Sequence, residues 1–275
     1  MRLRHKGLTV AIGVALIAMI ALSGTAYSIR NGQPDGDAHP YVGLLVFDVW
    51  NGTHYVPAWR GTGSLISPTV VLTAGHCTDG ADGGRVWFDE IVQGNPEYPY
   101  SGSTSVEMAE IHTYPGFSIV DKWTGLPGWI TGDVGIVILA EPVYLNEYGE
   151  LPTAGLVDTL PMKTNLDLVG YGVQERLRGG GQPVWSGLRN RFNATAQLIG
   201  SKHVMSDEFM RITANPGQGK GGTCYGDSGG PILLAGTNTI LGVCSWGTNQ
   251  NCAGVSYEKR IDIADILNWI SGFLD

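Results

Sequence analysis

The chain has 275 residues, enough for one large or two modest domains with a true core. With 41 glycines, 14 prolines and only 15% charged residues, it suits short strands and many turns rather than long helices. A net charge of −8 argues against a nucleic-acid partner, because phosphate binding needs clustered Lys and Arg. Residues 1–28 hold Arg2, Arg4 and Lys6 and no acid, so the rest of the chain is more acidic still.

The N-terminus reads as a secretory signal over residues 1–28. Its basic start precedes the apolar run Leu8 to Leu22, and small residues follow. That run is shorter than the roughly 20 residues a membrane span needs, and an uncleaved anchor is the alternative. Export places the protein where disulfides form. Cleavage after Ser28, with Ala26 and Ser28 as the small residues, leaves Ile29-Arg30-Asn31-Gly32 as the new terminus. Cleavage after Ala26 with later trimming is equally consistent.

From Pro40 onward strand-like runs recur at short spacing, punctuated by Gly, Pro, Asn and Asp. The first half offers Tyr41–Phe47, Gly63–Ser67, Val70–Thr73, Arg85–Ile91, Ser105–His112 and Val134–Leu139. Glu141 to Pro152, polar and Pro-bounded, reads as a linker. The second half offers Leu166–Tyr171, Arg191–Leu198, Phe209–Ala214, Pro231–Leu234, Thr239–Trp246 and Gly254–Arg260. Such a pattern predicts antiparallel barrels or sandwiches. Arg260 to Leu274 is the one convincing helix, with Ile263, Ile266, Leu267, Ile270 and Phe273 as the stripe that packs on a barrel. Arg178-Gly179-Gly180-Gly181 reads as a surface loop open to self-cleavage.

Chemistry concentrates in Gly221-Gly222-Thr223-Cys224-Tyr225-Gly226-Asp227-Ser228-Gly229-Gly230-Pro231. A serine among glycines exposes its hydroxyl, and a serine nucleophile needs a base and something to orient that base. The same residues also fit the Gly-x-Ser-x-Gly elbow of α/β-hydrolases, where the histidine follows the serine. Here no histidine follows His203, so the base lies upstream. Leu72-Thr73-Ala74-Gly75-His76-Cys77 offers it, and Thr131-Gly132-Asp133-Val134-Gly135 offers an aspartate at the mouth of an apolar strand.

The order His76, Asp133, Ser228, with Thr-Ala-Gly-His-Cys, Gly-Asp-Val-Gly-Ile-Val, Gly-Asp-Ser-Gly-Gly-Pro and Ser245-Trp246-Gly247, resembles the trypsin/chymotrypsin-like serine peptidases over most of residues 29–275. The resemblance implies an all-β fold of two six-stranded antiparallel β-barrels with a C-terminal α-helix. Residues 29–142 would form the first barrel, carrying His76 and Asp133. Residues 143–275 would supply the linker, the second barrel with Ser228, and the helix. It implies a secreted serine endopeptidase working through an acyl-enzyme, with protein or peptide substrates, no cofactor and no metal. In the mature form it would be a monomer with no membrane attachment. A catalytically inactive binding relative and an esterase on the same fold are the alternatives.

Further roles follow from the same resemblance. The N–H groups of Gly226 and Ser228 would form the oxyanion hole. Ile29, as a new N-terminus, would pair with Asp227. Ser245, Trp246 and Gly247 would bind an extended substrate by strand addition. Gly222, Thr223 and Gly254 would shape the primary pocket, and the uncharged Gly222 implies an apolar or aromatic residue before the scissile bond, unless Asp262 or another loop supplies an acid. Cys224 and Cys252 would form a disulfide. The usual partner position of Cys77 is Gly61, so Cys77 and Cys244 are expected as buried small hydrophobes, with Cys244 lining the pocket. His5, His39, His54, His112 and His203 lack ligand spacing, and no zinc signature exists. Asn51-Gly-Thr and Asn193-Ala-Thr are formal glycosylation sequons.

Overall fold

A computed structural model describes residues 29, 31–102, 104–120, 129–173, 175–177, 184–200, 206–215, 219–248 and 252–274. The expected leader over residues 1–28 and the expected surface loop at 178–181 lie outside them. A short strand β1 (Gln33–Pro34) leads into β2 (Val42–Trp50), β3 (Tyr55–Leu65) and β4 (Val70–Thr73). A single helical turn α1 (Gly75–Thr78) follows, then β5 (Gly83–Trp87), β6 (Ser105–Thr113), the small hairpin β7 (Ser118–Val120) with β8 (Trp129–Thr131), and β9 (Gly135–Leu139). Strands β2-β3-β4-β9-β6-β5 close into an antiparallel barrel. All of β4 is buried, as are the inward residues of β2 and β9.

One departure from the sequence reading lies in β3, which starts at Tyr55 rather than Gly63. Pro57 weakens that stretch as a strand signal, yet the Asn51-Gly52 turn with Gly52 at φ 97 folds it back on β2, Trp50 pairing with Tyr55. Asn51 is thus at an exposed hairpin tip.

The second half supplies a turn α2 (Leu156–Thr159), β10 (Asn165–Gly170), the hairpin β11 (Glu175–Leu177) with β12 (Val184–Ser186), β13 (Phe192–Gly200), β14 (Phe209–Ala214), β15 (Pro231–Leu234), β16 (Ile240–Gly247), β17 (Gly254–Arg260) and a helix α3 (Ala264–Ser271). Strands β13-β10-β15-β16-β17-β14 form the second barrel, closed by β13 against β14, with β1 added along β13. Arg260, expected to open the helix, ends β17 instead. Its guanidinium is fixed by Asp262 and Asp158, and α3 begins only at Ala264. Most of the predicted apolar stripe holds: Ile266 and Ile270 are buried in the core cluster that includes the first barrel, with Ile263 and Phe273 packed against it, while Leu267 is only half-buried. Trp269 meets Tyr114 edge-on at 5.3 Å, so the end of the chain straps back across the first barrel.

The two barrels share one buried cation. Arg191, 2% exposed, enters β13 and pairs with Asp35 at 2.8 Å. It also donates to the carbonyls of Val42 and Phe88 in the first half and to the Tyr171 hydroxyl. Removing one partner of a buried pair strands the other, at about 3–5 kcal/mol. Arg191→Ala is therefore expected to lower unfolding free energy by about that amount, read from denaturant titration with intrinsic fluorescence.

Candidate active site

Asp133 follows Gly132, which turns at φ 57, and it is fully buried just before β9. His76 sits on α1, reached directly from β4. Gly75 is what lets the two elements meet: a Cβ there would lie 3.0 Å from the backbone nitrogen of Val134, the neighbour of Asp133. His76 Nδ1 lies 2.9 Å from Asp133 Oδ2, and the His76 backbone N–H donates to Oδ1 at 2.8 Å. Ser245 Oγ donates to the same carboxylate. From the second barrel, Glu208 accepts the Gly132 N–H at 2.9 Å and pairs with the buried Lys259. The loop carrying Asp133 is thus held across the interface by residues that sequence reasoning did not find.

These contacts set the charges. Burial alone would raise the Asp133 carboxyl, but His76 and the hydrogen bonds hold it below its ordinary value. For His76, burial opposes the charged ring. The neighbouring Cys77 sulfur and the Asp133 carboxylate outweigh it and hold the imidazole well above the usual histidine range. An imidazolium formed here is stabilised by its aspartate.

Ser228 lies on a loop pinned on both sides. Its carbonyl accepts the Thr62 N–H at 2.8 Å, Gly229 N–H donates to Cys244 O, and Gly230 N–H donates to Asp227 O. Gly229 is at φ 81, and a Cβ there would meet Thr73 Oγ1 at 2.0 Å, so no other residue fits. Ser228 and His76 face the same cavity of about 550 Å³, whose walls include Thr223, Cys244, Ser245 and Trp246. Among the described residues no hydrogen bond joins Ser228 Oγ to the His76 ring, and such bonds commonly tighten only with substrate bound. Thr62 Oγ1 donates to Gly226 O at 2.9 Å. Among the described residues, neither the Gly226 nor the Ser228 N–H has a hydrogen-bond acceptor.

Asp227 is 1% exposed and accepts hydrogen bonds from Gly172 N–H (2.8 Å) and Cys224 N–H (2.9 Å). Burial pushes its carboxyl up to about 7, against those two bonds and the nearby Arg60. Ile29 lies in the second barrel's core with Val157, Leu166 and Leu168. With residues preceding it, its nitrogen is an amide, and among the described residues the hydrogen bonds to the Asp227 carboxyl come from Gly172 and Cys224.

Of the expected pocket residues, Thr223, Ser245, Trp246 and Gly247 line the cavity. Gly222 and Gly254 are not among the described residues that line it. A Cβ on Gly222 would press on Ala214 at 2.6 Å, and Gly254 pairs with Ala214 across β14 and β17. Trp246 stacks on Tyr257 at 4.5 Å. Cys224 and Cys252 are bridged, with Cα atoms 5.3 Å apart, and closing that loop is worth about 3–4 kcal/mol. Cys77 and Cys244 are free and buried, and Cys244 lines the cavity. Asp262 does not reach the cavity: it is spent on Arg260 and the Val157 N–H. The acid that sequence reasoning missed is Glu258, buried in β17, whose carboxylate accepts from the Thr223 hydroxyl. Among the described residues no group of His, Cys, Asp and Glu suits a metal ion, and no helix is long and apolar enough to cross a membrane.

Two closed β-barrels with histidine, aspartate and serine converging on one crevice define the trypsin/chymotrypsin-like class of serine peptidase. The chain belongs to the trypsin family, whose model, described as Trypsin, matches residues 44–270. It is 30% identical to tryptase of Mus musculus, over 70% of this chain and 69% of that protein. It is 27% identical to brachyurin of Leptuca pugilator, over 76% and 84%. Its fold is similar to that of HL collagenase, with a TM-score of 0.64 at 19% identity, covering 90% of this chain and 96% of that one.

Proposed function

We propose that the protein is a secreted serine endopeptidase that cleaves peptide bonds through an acyl-enzyme on Ser228. The observation that carries this reading is the His76 ring, hydrogen-bonded to buried Asp133 and opening on the cavity that holds Ser228. His76 takes the Ser228 proton as Oγ attacks the carbonyl and returns it to the leaving amine, and Asp133 fixes the tautomer and stabilises the imidazolium. Water then repeats the sequence on the acyl-enzyme. The free N–H groups of Gly226 and Ser228 suit the developing oxyanion, one such donor being worth about 2.7–4 kcal/mol elsewhere. Beyond the end of β15, the Ser245–Gly247 edge of β16 offers backbone groups to an extended peptide.

Maturation at Ile29 belongs to the same reading. A buried carboxylate hydrogen-bonded by two backbone N–H groups, with Arg60 nearby but no ion pair among the described residues, is costly, and an ammonium freed at Ile29 would pair with Asp227 and order the loop that bears Gly226 and Ser228.

A fluorophosphonate probe tests the function. Labelling confined to Ser228, lost in His76→Ala, is the expected result. An unlabelled folded protein would indicate a binding relative, and turnover of a simple ester without turnover of a protein would indicate an esterase.

A further inference from the structure

Asp133 is fixed by its backbone neighbours as well as by its carboxylate. Gly132, turned at φ 57, packs one side of its backbone on Gly116, where a Cβ would run into the Gly116 carbonyl. Its N–H donates at 2.9 Å to Glu208 Oε2, a residue of the other half of the chain. On the far side of Asp133, Val134 N–H donates to Gly132 O at 2.7 Å and Val134 O accepts the Tyr114 N–H at 2.9 Å. The aspartate thus sits between two anchored residues.

Glu208 is itself held twice by β17. Its carbonyl accepts the Arg260 N–H at 2.9 Å, and its carboxylate pairs with Lys259, whose side chain is 1% exposed. Lys259 lies opposite Phe209 in the β14–β17 pairing, with Nζ 5.7 Å from the centre of that ring. Burial pulls the ammonium below its ordinary value, and the charges of Glu208 and Asp133 oppose that. Burial would raise the Glu208 carboxyl, but Lys259 and the Gly132 N–H hold it below its ordinary value. Glu208 is therefore an anion clamped to the second barrel where the Asp133 loop meets it.

That contact matters to the chemistry because the reacting groups come from different halves. His76 and Asp133 belong to the first barrel and Ser228 to the second, so ring and hydroxyl align only if the Asp133 loop keeps one seat on the second barrel. Ser245 grips Asp133 by its carboxylate, and Glu208 grips the same loop by its backbone.

We propose that Glu208, anchored by Lys259, is a positioning residue for the reaction: it fixes the Gly132 peptide so that Asp133 presents its carboxylate to His76 in register with Ser228. The inference rests on the peptidase reading. Neither Glu208 nor Lys259 is among the described residues that line the crevice, so the effect falls on kcat rather than on substrate binding.

The test uses the mature enzyme and a fluorogenic peptide that the wild type cleaves, with rates expressed per titrated active site. Glu208→Ala is expected to lower kcat about 10- to 100-fold with KM held within about twofold. Glu208→Gln keeps an amide oxygen that can accept the Gly132 N–H, and its kcat is expected within about threefold of the wild type. Because Glu208→Ala strands the Lys259 ammonium, the double variant Glu208→Ala with Lys259→Met, which leaves neither charge of the pair, is measured beside it. It lacks the same acceptor and should lose as much. A double variant with wild-type kcat would assign the loss to the stranded charge and overturn the positioning role. So would a Glu208→Gln as slow as Glu208→Ala, an unchanged kcat in Glu208→Ala, or a loss carried by KM. Fluorophosphonate labelling of Ser228 separates the two claims: an unlabelled wild type overturns the peptidase reading and this inference with it, whereas the other outcomes, in a labelled enzyme, overturn the role of Glu208 alone.

Discussion

Ser228→Ala is expected to lower kcat on a peptide substrate by about 10⁶ while leaving KM nearly unchanged. Ser228 and His76 line the same crevice, so the variant retains the pocket and strand edge that bind substrate and loses the covalent route. His76→Ala should cost about as much, and the double variant little more, because the two act as one unit. Asp133→Asn keeps a side chain of the same shape but presents an N–H where Nδ1–H must donate, and about 10⁴ in kcat is the expected loss. Steady-state kinetics with active-site titration checks all four. Losses that simply multiply in the double variant would show that Ser228 and His76 act independently.

Asp227 yields the second large effect, and its sign depends on where the chain starts. In a chain beginning upstream, at Tyr27, the folded carboxyl titrates at about 7 against an ordinary value of 3.8, because burial disfavours its charge. A pKa raised on folding means the native state binds the extra proton. Stability from this group is complete below about 3.8 and drains away as pH rises toward 7. Asp227→Asn removes the titration, so in the Tyr27 chain the variant should melt higher than wild type at pH 8 and no higher at pH 3.5. In a chain beginning at Ile29, the ammonium pairs with Asp227 and the ordering reverses: the wild type melts higher at pH 8, and the variant loses activity with its oxyanion loop. Thermal melts of the four proteins at the two pH values decide it. An unchanged sign between the two starts would refute the pairing.

Much of this was legible in the residues, and what was not has a physical reason. The barrel strands declared themselves because apolar runs stop at Gly, Pro and Asn. The hairpins of β7 with β8 and β11 with β12 did not, since three-residue strands carry too little periodicity. His76, Asp133 and Ser228 were singled out by motif and order, and the bridge between Cys224 and Cys252, which the structure contains, was implied by the family resemblance. Glu258 was hidden because Tyr257-Glu258-Lys259-Arg260 looks like a solvated charge run. The available signal was strand alternation, which puts Glu258 on the same face as buried Ser256. Packing alone reveals that Lys259 and Arg260 are buried too, each against an acid far off in the chain: Glu208 in one case, Asp158 in the other. Glu208's grip on Gly132 likewise joins segments that nothing local connects.

Gly61 stands where the family's cysteine would face Cys77. A Cβ built on it falls 3.8 Å from Cys77 Cβ and 3.0 Å from its sulfur, but also 2.9 Å from the carbonyl oxygen of Ser228. The first two spacings are those of a disulfide, so the backbone keeps the shape of a clasp whose other half is missing. Among the described residues, covalent reinforcement therefore falls on the serine-bearing side alone. A reductant would slacken the wall behind the nucleophile while the histidine side, never cross-linked, keeps its form.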